Sequence, residues 1–126
     1  MAQDNLALVR RLYEAVSATR RIPPELFAAD FEFDASAISA EHPDVAIGAA
    51  AAEALLREYW NTFDDFRIEL EEVRENTADR IVTVIRDEGR VRGSDARITN
   101  RYVHIFEFRD GKIARQQVRQ AGDRDG

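Results

Sequence analysis

Three side chains in this sequence combine titratable chemistry with positions that favour burial: Tyr13, Asp34 and His104. His104 lies in an extended segment, where side chains alternate between two faces, so it shares one face with Tyr102 and Phe106. An aromatic face favours the neutral imidazole, which keeps one donor and one acceptor nitrogen. His104 is therefore predicted to be buried, largely neutral at pH 7, and able to hold a carbonyl oxygen or relay a proton. A core histidine bonded to one partner is the alternative.

Asp34 and Tyr13 are the other two candidates for catalysis. Asp34 ends a short strand, where partial burial at a cavity would raise its pKa and make it a base. A turn carboxylate in water is the alternative for Asp34. Tyr13 lies on the apolar stripe of a helix, so its hydroxyl needs a partner. It is either a packed core tyrosine or a donor to an oxyanion.

Six further side chains are predicted to contact a bound substrate. Aromatic groups interleaved with polar ones favour a pocket over a filled core, because an unpaired buried polar atom costs about 1–3 kcal/mol. Core packing is the alternative for the aromatic members, and a neutral amide supplies a hydrogen-bonding group. The six are Phe27, Trp60, Tyr102, Phe106, Gln116 and Val118.

Composition limits the classes of protein that this sequence can encode. Its 126 residues predict a single domain over 1–126, large enough to bury roughly two-thirds of its unfolded surface. The chain has no cysteine and two histidines, so we expect no disulfide, no structural zinc and no cofactor. A net charge of −6 argues against a nucleic-acid partner, which needs a basic surface.

Hydropathy argues against a membrane protein. No apolar run approaches the roughly 20 residues that cross a bilayer, and the first residues, MAQDNLALVRR, lack the apolar core of a signal peptide, which predicts a cytoplasmic protein. Arginines cluster in the second half of the chain. A solvated or paired outer face of a hairpin is the preferred interpretation and an anion site the alternative. The cluster comprises Arg86, Arg90, Arg92, Arg97 and Arg101.

The first half of the chain predicts three helices. A stripe of apolar side chains at helical spacing follows Asp4 or Asn5 as an N-cap and ends near residues 19–21. Pro23-Pro24 then predicts a short helix over 25–29. Residues 35–47 have no clear period and are expected to form an irregular loop. The third helix, over 49–62, has the widest apolar face.

The second half predicts strands over 66–73, 81–91, 98–108 and 113–120, after a brief strand over 31–34. Asp110-Gly111 predicts a tight hairpin turn. The strand over 81–91 is apolar on both faces, so its inner side is not assigned. The tail over 121–126 is expected to be frayed. Val103 and Ile105 face away from His104, which predicts a homodimer through the outer sheet face.

Helices followed by antiparallel strands predict an α+β fold. Three N-terminal helices are expected to pack on one face of a strongly curved, mainly antiparallel sheet. The result is a cone-shaped α+β barrel with a cavity between the two layers.

Four strings resemble the SnoaL-like branch of the nuclear transport factor two-like superfamily, which includes ketosteroid isomerases, polyketide cyclases and limonene epoxide hydrolases. They cover nearly the whole chain from Leu6 to Val118, and their order and spacing carry the resemblance. This fold hosts many chemistries, so the resemblance implies a pocket rather than a reaction. The strings are LVRRLYEAV, PPELFAADFEFD, IGAAAAEALLREYWNTFDDFRIE and RYVHIFEFRDGKIARQQV.

The resemblance implies roles for individual positions. Tyr13 matches the helix tyrosine that donates to the oxyanion in ketosteroid isomerases. Asp34 lies within about one residue of their proton-shuttling aspartate, and ungapped counting places Ala35 there. His104 replaces their second oxyanion donor, and Val118 stands where epoxide hydrolases carry an aspartate. No known catalytic set is complete.

The sequence thus supports three hypotheses. The first is a cytoplasmic homodimer that binds a small hydrophobic molecule and catalyses cofactor-free proton transfer, such as isomerisation, cyclisation or dehydration, with His104 and Asp34 as acid and base. The second is a ligand-binding module without catalysis. The third is a dimerisation domain with a filled core. An enclosed cavity with polar groups in reach of each other would favour the first.

Overall fold

The computed structural model describes residues 2–37 and 45–121. The middle of the predicted irregular loop and residues 122–126 of the tail lie outside the described residues. The elements, in chain order, are α1 (Ala2–Thr19), a 3₁₀ turn (Pro24–Leu26), β1 (Phe27–Asp34), β2 (Ala46–Ile47), α2 (Ala49–Trp60), β3 (Arg67–Asn76), β4 (Arg80–Arg90), β5 (Arg97–Arg109) and β6 (Lys112–Gln120).

The described residues contain two α-helices, so the prediction of three was wrong. The second predicted helix is a single 3₁₀ turn with Pro24 at its start. The chain becomes extended at Phe27, where β1 begins and pairs with Ile113 of β6. Phe27 and Phe31 are four residues apart, a spacing that fits one face of a strand as well as one face of a helix. Pairing with β6 decides in favour of the strand.

The six strands of the described residues form one curved, mixed sheet in the order β2-β1-β6-β5-β4-β3. β1 runs parallel to β6, and all other neighbouring pairs are antiparallel. The hairpin between β5 and β6 turns at Asp110 and Gly111, which both have positive φ, as the sequence predicts. Two helices over such a sheet give the expected α+β cone with one helix fewer.

The register between β4 and β5 identifies the inner side of β4. Thr83 pairs with His104, Ile85 with Tyr102, and Asp87 with Asn100. Residues that face each other across an antiparallel pair project to the same side of the sheet. The odd-numbered residues of β4 therefore face the helices together with His104.

The two helices cover this inner face. Asn5 does not cap α1 as predicted, because the helix already begins at Ala2. The buried Asn5 side chain instead donates to the carbonyl oxygen of Ala78 in the β3–β4 turn. In α2, Ala52 and Trp60 are buried, whereas Leu55 and Leu56 are only half-buried. Their partial exposure indicates that α2 borders open space rather than a filled core.

The outer sheet face carries a second apolar cluster, formed by Val84, Val103, Ile105 and Ala121. Val103 and Ile105 are buried within the single chain, so the exposed apolar patch that motivated a homodimer is absent. Ala121 is buried too, so the tail is anchored one residue further than predicted. No helix of the described residues is long and apolar enough to cross a membrane.

Arginine–carboxylate pairs surround this outer cluster. The predicted paired face is confirmed, because every arginine of the cluster in the second half of the chain forms an ion pair. Their carboxylate partners lie on the neighbouring strands and on the segment before β3. The pairs are Arg86–Glu69, Arg90–Asp64, Arg92–Asp64, Arg97–Asp65 and Arg101–Glu71.

Candidate functional site

A cavity of about 470 Å³ lies between the two helices and the inner face of the sheet. Its volume falls in the range of ligand pockets, which is about 300–1,000 Å³. Most of its wall is apolar. Seven of the nine predicted site residues line it: Tyr13, Phe27, Trp60, Tyr102, His104, Gln116 and Val118.

A hydrogen-bonded chain of three side chains forms one polar centre of this wall. The hydroxyl of Tyr13 lies 2.8 Å from Thr83 Oγ1 and 2.8 Å from His104 Nδ1. α1 supplies Tyr13, whereas Thr83 and His104 face each other across β4 and β5. The ring of Tyr13 also packs against that of His104, with centroids 5.6 Å apart.

Burial sets the protonation state of His104. The imidazole is 7% exposed, and desolvation lowers its pKa to about 3, because a charged ring is unfavourable among apolar groups. The prediction of burial is therefore confirmed, and the lowered pKa agrees with the predicted neutrality at pH 7. Desolvation also raises the pKa of Tyr13, against a smaller lowering by its hydrogen bond to Thr83. Both groups are uncharged at neutral pH.

A neutral His104 can present either a donor or an acceptor to the cavity. If Nδ1 accepts from Tyr13, Nε2 carries the proton and donates; if Nδ1 donates to Tyr13, Nε2 accepts. The Tyr13 hydroxyl has one proton, so its bond to Thr83 reverses with the tautomer. Among the hydrogen bonds of the described residues none involves Nε2. The chain can therefore match a carbonyl or a hydroxyl oxygen.

Gln116 is a second polar group on the cavity wall. It lies on β6 beside Phe106 of β5 and Phe33 of β1, and it is 6% exposed. The amide has no hydrogen-bond partner within residues 2–37 and 45–121. A buried amide facing a cavity is a group that a polar ligand atom can satisfy.

Asp34 is not brought together with these groups. It lies outside the main cavity, on a small depression with Ser36 and Gln117. Both the hydroxyl and the backbone N–H of Ser36 donate to its Oδ1, at 2.6 and 2.9 Å. These bonds, with Arg115 nearby, lower the pKa of Asp34. The predicted increase of its pKa was therefore wrong, because hydrogen bonds to the carboxylate outweigh its partial burial.

Phe106 is also absent from the cavity wall. Its side chain is completely buried and packs edge-on against the rings of Tyr13 and His104, with centroids 6.2 and 5.8 Å apart. The prediction that it bounds the pocket was wrong, since it lies behind the polar centre as core. Alternation along a strand predicts which side of the sheet a residue faces, but it does not predict whether that residue reaches the cavity.

A second polar centre on the same wall was missed from the sequence: Asp87, Tyr59 and Asn100. Asp87 lines the cavity and is 4% exposed. The hydroxyl of Tyr59 donates to both of its oxygens, at 3.1 and 3.2 Å, and Asn100 Nδ2 donates to that hydroxyl at 3.1 Å. Burial raises the pKa of Asp87 to about 6, although hydrogen bonds from Tyr59 and Asn100 oppose the rise.

Residues 2–37 and 45–121 bring together no group of three or more histidine, aspartate or glutamate side chains that could hold a metal ion. The two polar centres and Gln116 thus supply one imidazole, one buried carboxyl group, two amides and several hydroxyls. These groups can exchange protons and form hydrogen bonds with a small molecule.

Comparisons with known proteins agree with this geometry. A family model described as the SnoaL-like domain matches residues 9–116. No curated protein matches the chain.

Solved structures show the same fold. A nuclear transport factor two-like protein from Anabaena variabilis is 23% identical, with a TM-score of 0.76 over 95% of this chain and 92% of that one. A putative SnoaL-like polyketide cyclase from a Jannaschia species is 18% identical, with a TM-score of 0.75 over 92% and 84%. TerC, co-crystallised with polyporic acid, is 19% identical, with a TM-score of 0.75 over 94% and 92%. At these identities the likeness establishes the fold alone.

Proposed function

The chain belongs to the SnoaL-like domain family, and on that premise we propose that it binds a small, mostly apolar molecule that carries a carbonyl or hydroxyl oxygen. The oxygen contacts Nε2 of His104, and the apolar body fills the remaining cavity. One observation carries the proposal. An aromatic and aliphatic cavity of about 470 Å³ contains a buried imidazole whose second ring nitrogen has no partner among the described residues.

The wall composition supports this class of ligand. Apolar rings such as Phe31, Phe66 and Trp60 line most of the cavity, and a flat hydrophobic body would bury its surface against them. The polar groups are few and separated, which suits a molecule with isolated oxygens. TerC, which has the same fold, was co-crystallised with an organic molecule, polyporic acid.

The acid–base pair expected from the sequence, His104 with Asp34, is not part of the proposal. Asp34 lies outside the cavity. With a pKa of about 3, His104 is a weak base at neutral pH. His104 and Tyr13 therefore act as a hydrogen-bonding site. Proton-transfer catalysis, whether isomerisation, cyclisation or dehydration, requires another base.

A matched pair of probes tests this proposal. β-Naphthol and naphthalene share an aromatic body, and only the first has an oxygen. Fluorescence titration should show that the wild-type protein binds β-naphthol about 3- to 10-fold more tightly than naphthalene, because one net hydrogen bond is worth about 0.5–1.5 kcal/mol. In His104→Phe the two affinities should become equal, with the fold retained by circular dichroism. His104→Gln should keep part of the preference.

The exposed turn residue Asp110 provides a control, since Asp110→Asn keeps the shape of a residue with positive φ. This variant should bind both probes as the wild type does. Equal affinities for β-naphthol and naphthalene in the wild-type protein would contradict the proposal. Binding of neither probe would contradict it too.

A further inference from the structure

Asp87 is a buried carboxyl group on the wall of the cavity. It is 4% exposed, faces the cavity from β4 and takes part in no ion pair within residues 2–37 and 45–121. A buried carboxylate normally has a cationic partner, because removing the charge from water is costly. By contrast, Glu69 and Glu88 are less buried and do pair with arginines.

The surroundings of Asp87 hold it in place and leave it titratable. From α2, Tyr59 donates to both carboxyl oxygens, and Glu58 lies on the same cavity wall. From β5 come Asn100 and Tyr102.

β3 presents only the apolar Ile68 opposite Asp87. A carboxyl group that is desolvated, positioned by a hydroxyl and open to a ligand cavity has the arrangement of a general base.

Asp87 does not share a target atom with His104. The two lie on neighbouring strands, four residues out of register, because Asp87 pairs with Asn100 and Thr83 pairs with His104. Four residues of strand span about 13 Å. A ligand oxygen held by His104 therefore leaves a distant part of the same molecule beside Asp87.

We propose that Asp87 is the catalytic base of this cavity and removes a proton from a C–H or O–H group of the bound molecule. The step forms an O–H bond on the carboxyl group, and the electron pair stays on the substrate, where it forms a double bond or expels a leaving group. Tyr59 is a positioning residue that holds the carboxylate. This inference rests on the proposed binding of apolar molecules in the cavity and adds the reacting group.

Nitrobenzisoxazole is a suitable probe, because a carboxylate in an apolar cavity can act on it without a cofactor. The base takes the proton from the ring carbon, the C–H electron pair forms the nitrile bond, the N–O bond breaks, and the ring opens to a coloured cyanophenolate. The wild-type protein should accelerate this reaction beyond free acetate at equal concentration. Asp87→Asn should lower kcat/KM by about 100-fold, a typical contribution of a general base.

The matched control is Asp110→Asn, which makes the same chemical change at an exposed turn and should keep the wild-type rate. The wild-type rate should rise with pH around 6, where Asp87 ionises. In Tyr59→Phe this midpoint should move to higher pH, because a hydrogen bond that favours the carboxylate is lost. A tyrosine that only packs would leave the midpoint unchanged.

Binding of β-naphthol separates the two proposals. If the wild-type protein binds β-naphthol but turns over nitrobenzisoxazole no faster than acetate does, or if Asp87→Asn still binds β-naphthol and keeps the wild-type rate, Asp87 is not the base. Failure to bind β-naphthol would contradict the binding function and, with it, this inference.

Discussion

Burial shifts the pKa values of His104 and Asp87, two titrating groups on one cavity wall, in opposite directions. Desolvation lowers the pKa of the imidazole to about 3 and raises that of the carboxyl group to about 6. Each shift favours the uncharged form. The imidazole is therefore neutral throughout the physiological range and suits hydrogen bonding, whereas the carboxyl group titrates close to neutrality and suits proton transfer.

The raised pKa of Asp87 predicts that its charged form lowers the stability of the folded protein at neutral pH. Its folded-state pKa of about 6 lies above the unfolded value near 4, so its favourable contribution is present below pH 4 and is lost as pH rises through 6. Asp87→Asn should therefore be more stable than the wild type at pH 7.5, by roughly 1–3 kcal/mol, and this advantage should shrink toward pH 4. Urea denaturation at both pH values measures the difference.

Asp110→Asn is the control for that measurement, because its carboxyl group is exposed. The difference between this variant and the wild type should stay constant over the same pH interval. A difference between Asp87→Asn and the wild type that does not change with pH would contradict the raised pKa of Asp87.

The inner face of β4 could not be predicted from the sequence, because it depends on the register between β4 and β5. Period and turn residues predicted the strands and the helix over 49–62, which ends at Trp60 in the structure, because those patterns are local. The inner face of β4 depends on the hairpin register. A slip of one residue would place Arg86 and Glu88 inside instead of Ile85 and Asp87. Because the strand over 81–91 is apolar on both faces, periodicity did not identify Asp87 as an inward-facing residue.

Other features of the site were accessible from the sequence. Alternation along β5 identified the buried His104 beside Tyr102, and the helical stripe identified Tyr13. Asp34 was misjudged because its hydrogen bonds with Ser36 depend on how the chain turns after β1. These contacts are local in the chain, but the conformation of a turn has no signature in hydrophobic periodicity.

At Gly89, β4 lies close to the segment after α2. A Cβ atom at Gly89 would lie 2.8–2.9 Å from Phe63, in the segment after α2, and Phe63 packs edge-on against Tyr59. Gly89→Ala should therefore lower stability by about 1–3 kcal/mol and displace the hydroxyl that holds Asp87. Chemical denaturation and the pH–rate profile with nitrobenzisoxazole measure the two effects.

Thr99→Ala provides the comparison for Gly89→Ala, since Thr99 is exposed on the adjacent strand. It should change stability by less than about 0.5 kcal/mol. The prediction would be contradicted if Gly89→Ala had wild-type stability and an unchanged pH–rate profile. Phe63 could then move away from the added methyl group without cost.

At the scale of the whole molecule, a homodimer through the outer sheet face stays a prediction. That face presents ion pairs over a covered apolar cluster, so its association should depend on charge. Light scattering at tens of micromolar should give twice the 14.4 kDa chain mass, with a lower mass at high salt because salt screens exposed charges. A mass of 14.4 kDa at low salt would contradict the prediction.

Nitrogen NMR of the imidazole can show whether a neutral His104 binds a ligand oxygen in the cavity. Without ligand, both ring nitrogens should show a neutral imidazole that does not titrate between pH 5 and 8, because burial lowers the His104 pKa to about 3. Saturation with β-naphthol should shift the Nε2 resonance, and saturation with naphthalene should shift it much less. A ring that titrates near 6.5, or an Nε2 resonance that responds equally to both molecules, would contradict the account.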